Sequence, residues 1–464
     1  SAHNPVFIAS IKFFSFIWTL FSANQMSSLL MQAVFFNTLS LLFLSIIIFR
    51  ITDKISASII GMILYATSAW PATYYFMASY APLASMLNLL VILLIVEAYL
   101  RDNIKFLIPA GLFSALFFLS TPSAPVMIVL HILMIFYFFL FSPFKKLLTA
   151  LFFYLTVIFL IAVPHLIYSD HVIIGHWLGN QGMNSHYQDA LNLFGYAPKS
   201  PFFSFFHIGG NYAPVIFIFF VIFSFLFLIV RKKYNSQEKV ISMFFAAVYF
   251  HSFLIDLLPF TKLGRTNFPA YPLVIIALVI AGNYLINYLL NLNKLKKFYL
   301  YSFIVFFFAL AILSNINYCW ATINARKHPG DYLSGLALRA DLYLFKNDIH
   351  AEAIKTWLNV NIKEIDALEQ IKTPPGREVA LIIGPHGSGS GKSLVRHSTA
   401  PDFFLNEGII KKPIDAEEIK IPYYMYLPPF LFEEEVSQAL YFSGKSPDYK
   451  ADNMKLTIWL WEKK

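Results

Sequence analysis

Apolar runs long enough to cross a bilayer fill most of this chain. A hydrocarbon core of about 30 Å takes about 20 helical residues. We read ten such runs, at 27–49, 56–76, 80–99, 105–120, 123–142, 147–167, 212–230, 240–259, 267–289 and 298–317. Segments surrounded by lipid must satisfy their backbone polar groups internally, so these runs should be helices. The expected fold class is an α-helical polytopic membrane protein with about ten transmembrane helices. Composition agrees, with 58% hydrophobic and 13% charged residues, against roughly 45–50% and 25% in soluble domains. That balance excludes a disordered chain, a nucleic-acid-binding domain and an ordinary cytosolic enzyme. Residues 5–22 are also apolar but short, and carry Lys12. Residues 1–26 are therefore read as an interfacial segment on the outer face.

Charge gives the expected orientation. Numbering the loops alternately, one set holds Arg50, Lys54, Arg101, Lys105, Lys145, Lys146, Arg231, Lys232, Lys233, Lys239, Lys294, Lys296 and Lys297, while the other holds only Lys199, Lys262 and Arg265. Basic residues are retained in the cytoplasm, so the first set is expected inside. The long loop 168–211 and everything from 321 to 464 then lie on the non-cytoplasmic side. Up to residue 320 the chain holds 17 Lys+Arg and 7 Asp+Glu, so its excess of positive charge belongs to the membrane part. A membrane explanation of this excess leaves no call for nucleic acid.

Three domains follow: 1–26, the transmembrane domain 27–320, and an extracytoplasmic α/β domain at 321–464. Within the last, apolar spacing over 333–370 (Leu336, Leu338, Leu342, Leu344, Ile354, Trp357, Leu358) predicts helix, while 378–384 and 455–461 predict strands. Residues 384–393, GPHGSGSGKS, invite a phosphate-loop reading. His386 stands where the motif needs its first glycine, so a flexible surface loop is the plainer reading. The aromatic run 421–435 ends in Glu433, Glu434 and Glu435 and reads as a docking surface or a solvated helix start. The single cysteine, Cys319, can form no intrachain disulfide with another residue of this sequence. The chain opens Ser-Ala-His-Asn-Pro, without Met or a cleavage site, so we expect a processed or partial N-terminus.

Three stretches resemble the glycosyltransferase C superfamily, whose members use polyprenyl-phosphate sugars. They are 2–50, then 68–101 followed by LSTPSAP at 119–125, then LLPFTKLGRTNFPAYPLVII at 257–276. The protein mannosyltransferases and lipid A aminoarabinose transferases look most alike. The resemblance implies sugar transfer from a polyprenyl-phosphate donor to a lipid, glycan or protein acceptor on the non-cytoplasmic face. It also implies a catalytic Asp in the first outer loop, whose beginning is not among these residues, and often a second acid after the third span. Residues 75–85 contain no acid. Either the carboxylate precedes Ser1, or the protein is a non-catalytic relative serving as a scaffold or assembly subunit. A transporter would show repeats, and none is visible between 27–167 and 212–317.

Such a transferase needs a cation for the lipid phosphate, a base for the acceptor hydroxyl and an apolar groove for the prenyl tail. Lys262 and Arg265 are the phosphate candidates: they sit in an outer loop at a span boundary and match the family's basic positions. The plainer reading has them snorkelling to lipid headgroups. Within this sequence the base candidates are Asp256 and Asp170. Asp256 lies near the outer end of its span and is also a candidate ion-pair partner for Lys262. His171, His176, His186 and Asp189 read as a substrate-facing polar loop or, more plainly, as a solvated loop with interfacial helices. Their spacing matches no tight metal motif, although imidazole and carboxylate could hold a divalent cation. No cofactor is otherwise called for. Glu97 reads as interfacial and His131 as hydrogen-bonded inside the bundle, with His251 in the span before Lys262. Expected partners are membrane lipids, the polyprenyl-phosphate sugar and, on the scaffold reading, other membrane proteins. The Phe, Ile, Asn and Lys bias points to an AT-rich bacterial gene, hence to the bacterial inner membrane with the C-terminal domain in the periplasm or outside.

Overall fold

The computed structural model describes residues 5–19, 25–68, 81–121, 124–140, 142–168, 214–230, 236–257, 268–291, 305–314, 337–345, 361–366, 378–383, 415–421 and 454–462, with single residues 299, 302, 316 and 370. The chain divides into two units. One holds the helices below, and the other runs from Trp320 to Lys464 apart from a three-residue piece of the first half of the chain.

In the first unit the apolar runs form α1 (Pro5–Thr19), α2 (Gln25–Thr52), α3 (Ile55–Thr67), α4 (Ala81–Leu100), α5 (Leu107–Phe118), α6 (Ala124–Phe139), α7 (Phe144–Tyr168), α8 (Pro214–Val230), α9 (Ser236–Leu257), α10 (Tyr271–Asn291) and α11 (Val305–Ser314). Single 3₁₀ turns, Ile104–Phe106 and Phe268–Ala270, lead into α5 and α10. Four stretches are long and apolar enough to cross a membrane among the described residues: Met31–Thr52, Ala81–Leu100, Phe144–His165 and Tyr271–Leu290. They mark the chain as an integral membrane protein.

In four of the expected runs the described helix covers part of the length. The run 56–76 is helical over Ile55–Thr67, 105–120 over Leu107–Phe118, 123–142 over Ala124–Phe139 and 298–317 over Val305–Ser314. Local chemistry accounts for the ends of α5 and α6. Asn103 caps the turn before α5 by accepting from the Lys105 N–H. Pro122 follows α5, and Pro143 separates α6 from α7; the residue before a proline is steered out of helical geometry.

Helix contacts follow residue size. α2 and α3 are joined by Asp53 and Lys54, with Asp53 at φ 53° closing the reversal. Gly61 on α3 lies against Ile48 and Leu44 of α2. Gly111 on α5 lies so close to α7 that a Cβ there would stand 2.6 Å from the Tyr154 carbonyl oxygen. α4 and α10 are the most enclosed spans, with 72% and 61% of their windows buried. Their apolar residues run all round the helix, as an interior position requires.

The second unit contains a five-stranded mixed sheet in the order β2-β1-β3-β5-β4. Its strands are β1 (Ala340–Phe345), β2 (Lys363–Ile365), β3 (Glu378–Ile383), β4 (Asp415–Ile421) and β5 (Met454–Glu462). β3 and β5 coincide with the two expected strands and pair antiparallel, Leu381 opposite Trp459. The helix expected over 333–370 is overturned at 340–345 and 363–365, where β1 and β2 lie and pair in parallel. β1 lies between β2 and β3, and Ala340, Leu342, Tyr343 and Leu344 are all buried. A strand covered on both faces is a continuous apolar run, and Leu342 and Leu344 then mimic part of a helical stripe. β4, a sheet edge, reads DAEEIKI; charge on an edge strand blocks pairing with other chains.

Candidate functional site

Two polar assemblies stand inside the helical unit. The first is a chain of hydrogen bonds across α4, α5, α6 and α7. His131 Nε2 meets Asn88 Oδ1 at 2.8 Å, and Asn88 Nδ2 donates to the Pro269 carbonyl at 2.9 Å. His131 Nδ1 meets the Tyr154 hydroxyl at 3.0 Å, and that hydroxyl meets Ser114 Oγ at 2.7 Å. Asn88, Ser114, His131 and Tyr154 have no exposed surface.

The proton positions follow from the end of the chain. A carbonyl only accepts, so Pro269 fixes which end of the Asn88 amide is Nδ2. Asn88 Oδ1 must then accept, and His131 Nε2 carries the hydrogen. In a neutral imidazole Nδ1 accepts, so Tyr154 donates to it and Ser114 donates to Tyr154. Every bond points the same way, from Ser114 to Pro269. None of the four side chains reaches the surface, so this network acts through packing. It locks four helices to the turn Phe268–Ala270, from which α10 starts. Hydrogen-bonded His131 agrees with the sequence expectation. Asn88, Ser114 and Tyr154 were passed over; the available signal was an asparagine inside an otherwise apolar span.

The second assembly ties helix ends together with charge. Glu97, 7% exposed, is held by Arg50 Nε and Nη2 (the latter at 3.1 Å) and by Arg101 Nε. Glu97 is thus covered by its two arginines at this end of the unit. Beside Arg101, Asp102 pairs with Lys146. Lys54 donates to Asn287 Oδ1 at 2.9 Å. These bonds gather the C-terminal ends of α2, α4 and α10 and the N-terminal ends of α3 and α7 at one end of the unit. Pro269 and the start of α10 lie at the other, since α10's 21 residues span about 31 Å.

Two further polar groups lie deep in the unit. Neither end of the Asn37 amide, nor Ser85 Oγ, finds a hydrogen-bond partner, and both residues are fully buried. α2 and α4 run parallel, because both end at the Glu97 clamp. Counting back from Arg50 and from Glu97 places Asn37 and Ser85 at a similar depth, about 18–20 Å along their helices.

Of the residues singled out from the sequence, Lys262, Arg265, Asp170, His171, His176, His186 and Asp189 lie outside the described residues, as does the loop Gly384–Ser393. Asp256 is in the last turn of α9, with its side chain outside the description. His251 is fully buried. Among the described residues no cluster of His, Cys, Asp or Glu could hold a metal ion.

No protein-family model matches the chain, and no curated protein matches it. A solved structure is similar. It is the crystal structure of the Archaeoglobus fulgidus oligosaccharyltransferase in complex with Zn and sulfate, 12% identical, with a TM-score of 0.45 over 78% of this chain and 54% of that one. The chain thus spans about half the length of that protein.

Proposed function

We propose that this protein is a membrane glycosyltransferase that takes a sugar from a polyprenyl-phosphate donor on the non-cytoplasmic face. The observation that carries the reading is the bond from Asn88 Nδ2 to the Pro269 carbonyl. It joins two of the stretches that resemble the glycosyltransferase C superfamily, 68–101 and 257–276. In the sequence Lys262 and Arg265 precede Pro269 by a few residues, and Pro269 lies at the end of the unit opposite Arg50, Glu97 and Arg101. In the proposed reaction an acceptor hydroxyl attacks the anomeric carbon. A glycosidic C–O bond forms, the bond from that carbon to the phosphate oxygen breaks, and polyprenyl phosphate leaves. Lys262 and Arg265 hold the departing phosphate, Arg265 as a fork and Lys262 as a point charge. The hydroxyl proton passes to a carboxylate, either Asp256 or Asp170.

The test is transfer by the full chain in proteoliposomes, supplied with a panel of polyprenyl-phosphate-linked radiolabelled sugars. Lys262→Ala and Arg265→Ala should each slow transfer on the order of 10- to 100-fold, the worth of a charged hydrogen bond. Undiminished transfer by the double variant would remove these residues from the site. No transfer from any donor, with a stoichiometric protein partner retained on purification from native membranes, would replace the enzyme by a scaffold subunit.

A further inference from the structure

A groove of about 980 Å³ runs between α3, α8, α10 and α11. Its floor is apolar and buried, with Ala57, Leu64, Leu278 and Leu285 at 1–7% exposure. Its rim is open: Ile222 and Leu226 of α8 are 43% and 42% exposed. α10, which lines the groove, is long and apolar enough to cross a membrane, so a rim this apolar suits lipid rather than water.

Polar groups lie at one end only. Lys54 stands at the charged end of the unit, close to the last turn of α10. Arg50, Arg101 and Lys146 there each pair with an acid. Lys54 instead bonds the neutral Asn287 amide, which leaves two of its three N–H donors for another acceptor. One turn deeper on the same face of α10, Asn283 also lines the groove, and its buried Nδ2 has no hydrogen-bond partner. Beyond Asn283 the walls are apolar.

The length of the groove identifies its occupant. Lys54 to Leu64 on α3 and Phe219 to Val230 on α8 both border it, each covering about 15–17 Å. That is half of a hydrocarbon core of about 30 Å, the depth of one leaflet. We infer that the groove holds a single anionic glycerophospholipid of the leaflet at the charged end. Its phosphate sits on the Lys54 ammonium, an ester carbonyl accepts from Asn283 Nδ2 about 6 Å deeper, and its acyl chains lie along Leu64, Phe223 and Leu278. The site is at the opposite end of α10 from Pro269, and the inference does not depend on sugar transfer.

Native mass spectrometry of the full chain, released from micelles containing phosphatidylglycerol or phosphatidylcholine, tests it. One phosphatidylglycerol should be retained in preference to phosphatidylcholine. Lys54→Ala should reduce that preference about fivefold, the worth of one basic residue at a membrane surface, and Lys54→Arg should keep it. Asn283→Leu should weaken retention of both lipids, and Ile222→Trp, which places a ring across the groove, should abolish it. Melting temperature checks that each variant is folded. Equal retention of the two lipids by the unaltered chain, or an unchanged preference in folded Lys54→Ala, would overturn the site. Tighter retention of polyprenyl phosphate than of phosphatidylglycerol would overturn the assigned occupant.

Discussion

His131 shows how one side chain can be fixed by its neighbours. It sits between Asn88 at 2.8 Å and Tyr154 at 3.0 Å, and both neighbours are as buried as it is. Replacing it with Leu leaves the Asn88 amide oxygen without its donor and the Tyr154 O–H without its acceptor, Ser114 remaining on that hydroxyl. A buried polar group left unpaired costs about 1–3 kcal/mol, so His131→Leu should lower stability by that order, read from thermal unfolding in detergent. Pairwise coupling in membrane bundles averages about 0.6 kcal/mol and reaches about 1.7. A double-mutant cycle of Asn88→Leu and His131→Leu should fall in that range. Strict additivity would show that the chain of bonds does not act as a unit. At this scale the sequence was partly legible. A histidine in mid-span needs a partner, which one sequence can declare. Which asparagine, tyrosine and serine supply it depends on helix neighbours far apart in the chain.

Among elements, two close helix contacts depend on glycine and differ in what they would meet. A Cβ on Gly111 would stand 2.6 Å from the Tyr154 backbone oxygen and 3.0 Å from Val157 Cβ. Neither can move without shifting α7 from α5. A Cβ on Gly61 meets the tip of the Ile48 side chain, which can rotate. Ala is better than Gly inside a helix by about 1 kcal/mol, while overpacking costs about 1–3 kcal/mol. Gly111→Ala should therefore lower the melting temperature, and Gly61→Ala should leave it unchanged or raise it; the reverse order would contradict the packing of α5 on α7. The same scale explains the missed strands. Over 340–345 every second and every third position is apolar at once, so period alone does not separate helix from strand. Pairing with β2 and β3 decides it.

For the whole chain, the second unit offers a stability probe outside the membrane helices. Lys363 Nζ donates to Asp341 Oδ2 at 3.0 Å and lies 5.5 Å from the Tyr343 ring centre. The hydrogen bond to Asp341 raises the Lys363 pKa above its ordinary 10.5. A raised lysine pKa stabilises the fold fully below the unfolded value and loses that contribution as pH climbs through the folded one. The melting-temperature gap between the unaltered protein and Asp341→Asn should thus be steady at pH 8 and close above about pH 10.5. A gap that persists into stronger alkali would mean the pair contributes nothing through charge. The apolar runs by themselves determined that this is a helical membrane chain, because only an internally bonded backbone is tolerated in lipid. The turn and strand chemistry at 378–384 and 455–461 likewise located two strands. Only the tertiary structure decided that Asn88 grips Pro269, that Glu97 clamps two arginines and that Lys54 heads an apolar groove. Each depends on helix ends remote in sequence meeting at one depth, and a periodicity carries no information about which helix its neighbour will be.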